Sequence, residues 1–69
     1  MDPDEAIELC EEILDDCNEL PEKAQEFQES VQEKVKSVMD FVERTGRCSE
    51  KQASMLRNTS AAVKRWLGP

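Results

Sequence analysis

Apolar residues recur every three or four positions in three stretches of this chain, and that spacing predicts three amphipathic helices. The first stripe consists of Ala6, Ile7, Cys10, Ile13, Leu14 and Cys17, with Leu9 beside it. The second consists of Ala24, Phe27, Val31, Val35, Val38 and Val42. The third consists of Met55, Leu56, Thr59, Val63, Trp66 and Leu67. No stretch carries a strand signal, so we predict an all-α fold, a small bundle of three helices.

The helix boundaries follow from local capping signals. Asp2 is placed to cap the first helix, Pro3 suits its first turn, and Glu5 has the spacing of a capping box. Pro21 stops this helix, because a proline disfavours helical geometry in the residue before it, and the same proline opens the second helix. We predict helices at about 3–18 and 21–45.

The third helix has equally clear ends. Gly46 is a natural stop for the helix before it, and Ser49 with Gln52 has the spacing of a capping box. Lys64 and Arg65 lie in the last turn, where positive charge suits the helix dipole. We therefore predict a third helix at about 49–67 and one helical domain over residues 1–69.

The size of the chain favours self-association. A second helix of about 25 residues would be about 37 Å long and would outreach both neighbours. A single core is also a marginal source of stability in a domain this small. We expect a homo-oligomer, most simply a dimer along the second or third helix.

Charge is distributed unevenly along the sequence. The chain has 9 Lys plus Arg, 16 Asp plus Glu and no histidine, for a formal net charge of −7. Residues 1–33 contain thirteen acids and one lysine (net −12), and residues 34–69 contain eight basic residues and three acids (net +5). The first half of the molecule is therefore a candidate surface for cationic partners.

The acids of the first half recur at helical intervals and predict a negative ridge. Like charges four residues apart destabilise a helix by about 0.2–0.5 kcal/mol per pair, so stability alone does not explain them. One interpretation is a solvated coat that keeps a small protein soluble; the other is a surface that binds a basic protein, including one that normally holds nucleic acid. The candidate partner-binding residues are Glu5, Glu8, Glu12, Asp15, Asp16, Glu19, Glu22, Glu26 and Glu29.

Enzymatic chemistry has little support in this composition. Cys10, Cys17 and Cys48 lack a histidine partner and the spacing of a metal site, and seven helical residues separate Cys10 from Cys17 by about 10 Å, too far for a disulfide. We expect Cys10 and Cys17 to be small core residues of a reduced, cytoplasmic protein. We predict no enzyme activity, no cofactor and no metal. No apolar run approaches the length of a membrane span, so we expect no membrane partner.

A second hypothesis concerns residues 59–67, which resemble the recognition segment of helix-turn-helix proteins. In that interpretation the third helix breaks near Asn58. The DNA-binding residues would then be Ser60, Ala61, Lys64 and Arg65. Arg57 stands where that family usually has glycine, and the net charge of −7 opposes DNA, so direct nucleic-acid binding is the weaker expectation.

Residues 31–67 also resemble the helical hairpins of small phage-type and mobile-element proteins. The residues that carry this resemblance are Gly46, Ser49, Lys51, Gln52, Leu56, Asn58, Val63 and Trp66. Small acidic helical proteins of that kind include inhibitors of host defence, such as anti-CRISPR and anti-restriction proteins. The resemblance implies an inhibitor in the host cytoplasm that acts as a DNA mimic.

A third hypothesis is a helical assembly or adaptor module in which the acids only solubilise the protein. Trp66 has two interpretations of its own, because an exposed tryptophan is a frequent binding anchor. At helical spacing it is more often a core residue, and we expect Trp66 to anchor the core.

Overall fold

A computed structural model describes residues 1–68 and shows three helices in up-down-up order. They are α1 (Pro3–Cys17), α2 (Gln25–Thr45) and α3 (Glu50–Leu67). A single 3₁₀ turn, Glu22–Ala24, precedes α2, and none of the described residues lies in a strand. The predicted all-α bundle of three helices is confirmed.

Helix α1 begins and ends close to the predicted residues. The Asp2 carboxylate accepts a hydrogen bond from the backbone N–H of Asp4 at 2.9 Å, and Pro3 occupies the first turn. Asp2 therefore caps the helix through a contact two residues along the chain, and not through the capping box with Glu5 that we predicted. At the other end the N–H of Asn18 donates to the carbonyl of Asp15, and the helix ends one residue earlier than predicted.

The start of the second helix differs from the prediction. Pro21 has extended backbone geometry (ψ 160°), and the N–H of Ala24 donates to the carbonyl of Pro21 at 2.9 Å, which closes a 3₁₀ turn. Ala24 then leaves helical geometry (φ −98°, ψ 14°) so that its side chain is buried. The α-helix therefore begins at Gln25 rather than at residue 21. With 21 residues it is about 31 Å long. This is shorter than the length of about 37 Å from which we expected the helix to outreach both neighbours.

The connection between α2 and α3 has the predicted chemistry. Gly46 adopts the left-handed conformation (φ 68°), and its N–H donates to the carbonyl of Val42 at 2.8 Å. Ser49 and Gln52 form a reciprocal capping box, with each side chain accepting a hydrogen bond from the other residue's backbone N–H at 3.1 and 3.0 Å. A sharp turn and a firm helix start thus set the direction of α3.

The core is a seam of small side chains at three-four spacing. Its buried members are mainly Ala, Cys and Val, and Ile13 and Leu56 are the largest of those that are fully buried. In α1 they are Ala6, Cys10, Ile13 and Cys17; in α2 Val31, Val35, Val38 and Val42; in α3 Ala53, Leu56, Ser60 and Val63. The bulkier Phe, Trp and Met side chains all remain partly exposed.

Helix α1 packs along both other helices, whereas α2 and α3 meet over a much shorter length. The bundle measures 35 × 19 × 17 Å. Because the order is up-down-up, the end of α1, the start of α2 and the end of α3 share one pole of the molecule. No helix in residues 1–68 has the length and apolarity to cross a membrane.

Candidate functional site

The outer side of α1 carries a row of four carboxylates. An α-helix turns about 100° per residue, so Asp4, Glu8, Glu11 and Asp15 lie roughly opposite the buried seam of Cys10 and its neighbours. All four side chains are exposed. No apolar residue interrupts this row, which we name the outer acidic row.

A second line of acids on α1 turns toward α3. It consists of Glu5, Glu12 and Asp16, and Glu12 accepts a hydrogen bond from the Lys64 ammonium at 2.9 Å. This contact raises the pKa of Lys64, first through the hydrogen bond and then through the charge of Glu12. Glu12 is therefore partly neutralised by its own chain, and the ridge is not the single line that the sequence predicted.

The remaining candidate acids extend the negative surface around the pole where α1 ends and α2 begins. Glu19, Glu22, Glu26 and Glu29 are all exposed, as are Glu5, Glu8, Glu12 and Asp15, while Asp16 is half-buried. Within residues 1–68 the ion pairs are Lys64 with Glu12 and Arg44 with Asp40. Of the nine predicted partner-binding acids, eight thus have no ion-pair partner among the described residues.

Two of the predicted partner-binding acids lie at the end of α1, where the helix dipole disfavours negative charge. The first turn of α1 contains Asp4 and Glu5, where negative charge is favourable. The last turn contains Asp15 and Asp16 beside the negative end of the helix dipole, and it holds no basic residue. Helix stability does not account for these acids, and the exposed Asp15 is available to another molecule.

The sequence prediction left Asp4 and Glu11 out of the site, and the structure places both in the outer acidic row. The missing signal is the exact position of the buried seam: residues that lie two positions, about half a turn, from Ala6, Cys10, Ile13 and Cys17 face outward. Once that seam is known, Asp4 and Glu11 join Glu8 and Asp15 as the outermost charges.

The charge density of α1 approaches that of nucleic acid. Seven acids fall within about 18 Å of helix, or one charge per ~2.6 Å, compared with one per ~1.7 Å of duplex DNA. These seven are Asp4, Glu5, Glu8, Glu11, Glu12, Asp15 and Asp16. A protein surface that binds phosphates would therefore experience a comparable electrostatic field near α1.

The cysteines lie in the interior and away from this surface. Cys10 and Cys17 are fully buried, as predicted, and all three thiols are free. Burial raises the pKa of Cys10 to about 11 and that of Cys17 above its usual value, so both thiols are protonated and unreactive at neutral pH. The part of the chain that is described contains no group of three side chains suited to a metal ion.

The break near Asn58 that the helix-turn-helix hypothesis requires is absent from the third helix, which is continuous as predicted. Helix α3 runs without interruption from Glu50 to Leu67, and Ser60 is buried in the seam at 7% exposure. Lys64 is bound to Glu12, so of the four proposed DNA-reading residues only Ala61 and Arg65 stand exposed and unpaired among residues 1–68. The seam of α3 requires an unbroken helix, because Leu56, Ser60 and Val63 reach α1 only at continuous three-four spacing.

Trp66 does not have the predicted role of a core anchor. Its side chain is 42% exposed, and its ring packs on Phe27 with centroids 6.2 Å apart. Ala62 and Arg65 line a shallow hollow beside it. The seam passes through Val63 on a neighbouring face of α3, which leaves Trp66 at the edge where α3 meets α2.

Comparison with protein-family models, with curated proteins and with solved structures finds no match to this chain. The charge and geometry of the surface itself are therefore the basis for a function.

Proposed function

We propose that this protein is a non-enzymatic interaction protein whose acidic α1 face binds a basic surface on another protein. The observation that carries the proposal is the outer acidic row, four exposed carboxylates with no ion-pair partner among the described residues. Acids at the end of α1 work against the helix dipole, which a purely structural surface would avoid.

The sharper form of the proposal is a DNA mimic. The spacing of charge on α1 is within a factor of two of duplex DNA, so a groove lined with Lys and Arg would bind it through the same electrostatic attraction. The protein would then occupy a nucleic-acid-binding site and exclude the true ligand. An inhibitor of a host defence nuclease, in the manner of small phage proteins, is the biological setting that we propose for it.

Charge reversal with a matched control tests this function. The test variant carries Glu8→Lys and Asp15→Lys in the outer acidic row, and the control carries Glu43→Lys and Glu50→Lys at exposed positions of the basic half. Both variants have a formal net charge of −3, four units above the natural −7. Any difference between them therefore reports the position of the charges.

The measurement is affinity for the proteins that the natural chain captures from a host lysate, followed at rising salt. We expect the outer-row variant to lose at least tenfold in affinity and to show a shallower salt dependence, while the control stays within threefold. Equal losses in both variants would leave only a general effect of net charge and would contradict the proposed site. Competition with duplex DNA for the captured protein tests the mimicry separately.

A further inference from the structure

The largest apolar side chains of this protein are not in its core. Phe27, Met55 and Trp66 lie along the edges of α2 and α3 that face each other, and all three keep some exposure. Met55 lines a groove between the two helices together with Val38, and the Met55 sulfur accepts a hydrogen bond from the Thr59 hydroxyl at 3.4 Å. The core is therefore built mainly from small apolar residues, and three bulky ones lie along one face. Phe41, 39% exposed, lies elsewhere, beside Met1 and the connection between α2 and α3.

This groove is open because α2 and α3 are each held mainly by α1. Gln52, Met55, Thr59 and Trp66 recur at three-four spacing beside the buried seam of α3, and form a second stripe directed at α2. We name this side of the bundle, with Phe27, Ser30 and Ser37 of α2, the α2–α3 face. A stripe of this kind next to an existing seam is typical of a helix that packs against two neighbours.

The charges of the α2–α3 face are closer to balance than those on the outer side of α1. A molecule of net charge −7 repels itself, and the outer acidic row adds four negative charges on one side. The groove instead contains one charge of each sign, Glu33 and Lys34, with Lys51 one turn before Met55 and Arg65 beside Trp66. Two copies can therefore approach through this face with less repulsion than through the outer side of α1.

We propose that this face is a homodimer interface, in which α2 and α3 of two copies form a four-helix layer around Phe27, Met55 and Trp66. In a two-fold arrangement the same patch meets itself, so Glu33 of one copy lies within reach of Lys34 of the other. A standard interface buries about 800 Å² per partner, about one-sixth of the 4737 Å² surface of this chain, and one side of a three-helix bundle supplies that area. The outer acidic row lies on α1, away from this face, whereas the exposed Glu26 of α2, one turn before Ser30, borders it.

The test is the molar mass of the protein by sedimentation equilibrium from about 5 to 500 µM, with the fluorescence of Trp66 recorded on the same samples. Trp66 is the sole tryptophan, and the chain has no tyrosine, so the emission reports this face alone. We expect a shift from 7.9 kDa toward twice that mass, accompanied by a blue shift of the emission. A constant mass of 7.9 kDa across the range would overturn the proposal.

Two variants of equal charge locate the interface. Met55→Glu places a carboxylate in the groove, and Asn58→Glu places one on the exposed side of the same helix. We expect the first to raise the dimer dissociation constant at least tenfold and the second to leave it within threefold. Ser37→Glu, on the α2 wall of the groove, repeats the test if Met55→Glu alters the circular dichroism spectrum. Equal behaviour of groove and control variants would overturn the assignment.

Salt separates this inference from the proposed function. Screening reduces the repulsion between two copies, so dimerisation holds or strengthens as salt rises, whereas binding through the outer acidic row weakens. Dimerisation that weakens steeply with salt would contradict an apolar interface. The two measurements therefore distinguish a protein that dimerises but binds no partner through the outer acidic row from one that binds such a partner but does not dimerise.

Discussion

The outer side of α1 and the α2–α3 face present opposite chemistry on one small bundle. Four carboxylates stand on α1 with no apolar side chain among them, whereas Phe27, Met55 and Trp66 line the other face with charges of both signs. Charge acts at a distance and is screened by salt, while apolar area acts only on contact. One chain of 69 residues thus has one surface suited to attracting a cationic partner and another suited to close packing.

The sharpest test of this division compares adjacent residues of α3. Leu56 is fully buried in the seam, and Met55 lies in the groove. We expect Leu56→Ala to lower the free energy of unfolding by about 3 kcal/mol because it leaves a cavity, and Met55→Ala by less than about 1 kcal/mol. Urea unfolding followed by circular dichroism at low micromolar concentration measures both. Similar losses would place Met55 in the core and remove the contrast.

The dependence of stability on alkaline pH tests the burial of Cys10 in the core, which lies between the outer acidic row and the α2–α3 face. The pKa of the buried Cys10 thiol is raised from 9.0 to about 11, so between these values the unfolded chain releases this proton while the folded chain retains it. Stability is therefore unaffected below about pH 8 and falls as the pH rises toward 11, by about 2 kcal/mol from this group. Cys10→Ala removes that part of the decline. An identical alkaline decline in Cys10→Ala would assign the loss to other groups.

Charge reversal at the two ends of α1 gives effects of opposite sign. Asp15→Lys replaces an acid near the negative end of the helix dipole, and we expect it to stabilise the fold by about 0.5–1 kcal/mol at low salt. Glu5→Lys makes the same charge change in the first turn and is expected to destabilise by a similar amount. Thermal melts at 20 and 500 mM salt measure this. Destabilisation by Asp15→Lys would mean that the acid has a structural partner after all.

The smallest expected effect is the loss of the ion pair that joins α1 and α3. Lys64 and Glu12 are both about half exposed, and exposed pairs contribute little. Lys64→Met should change the melting temperature by no more than about 2 °C. A double-mutant cycle with Glu12→Gln isolates the pair, and a large coupling there would show that α1 and α3 depend on charge rather than on their seam.

Local chemistry made much of the fold predictable. Gly46 and the Ser49–Gln52 box each require one backbone geometry, and both appear where the sequence placed them. The start of α2 was not predictable from such signals, because Pro21 opens a 3₁₀ turn as readily as an α-helix. Ala24 is buried in this turn, and burial set by the folded chain is information that periodicity does not contain.

The sequence predicted that the candidate site is acidic and lies in the first half of the chain, but it did not predict which of the acids face outward. The excess of acid in residues 1–33 identified the surface, but Glu12 and Asp16 turn toward α3 while Asp4 and Glu11 face outward. Trp66 was misplaced for the same reason: stripes on neighbouring faces of α3 both have helical spacing, and the choice between them depends on where α1 and α2 lie. Sequence spacing gives the faces of a helix, and packing decides which face is inside.

A single hydrogen bond has a consequence for how the chain assembles. The Gln28 side-chain amide donates to the carbonyl of Cys17 at 2.7 Å, which ties the end of α1 to the first turns of α2 across 11 residues. The contact of Lys64 with Glu12 spans 52 residues, and closing that longer loop costs about 1.4 kcal/mol more chain entropy. The α1–α2 hairpin is therefore the entropically cheaper pair, and we expect it to form before α3 docks onto α1.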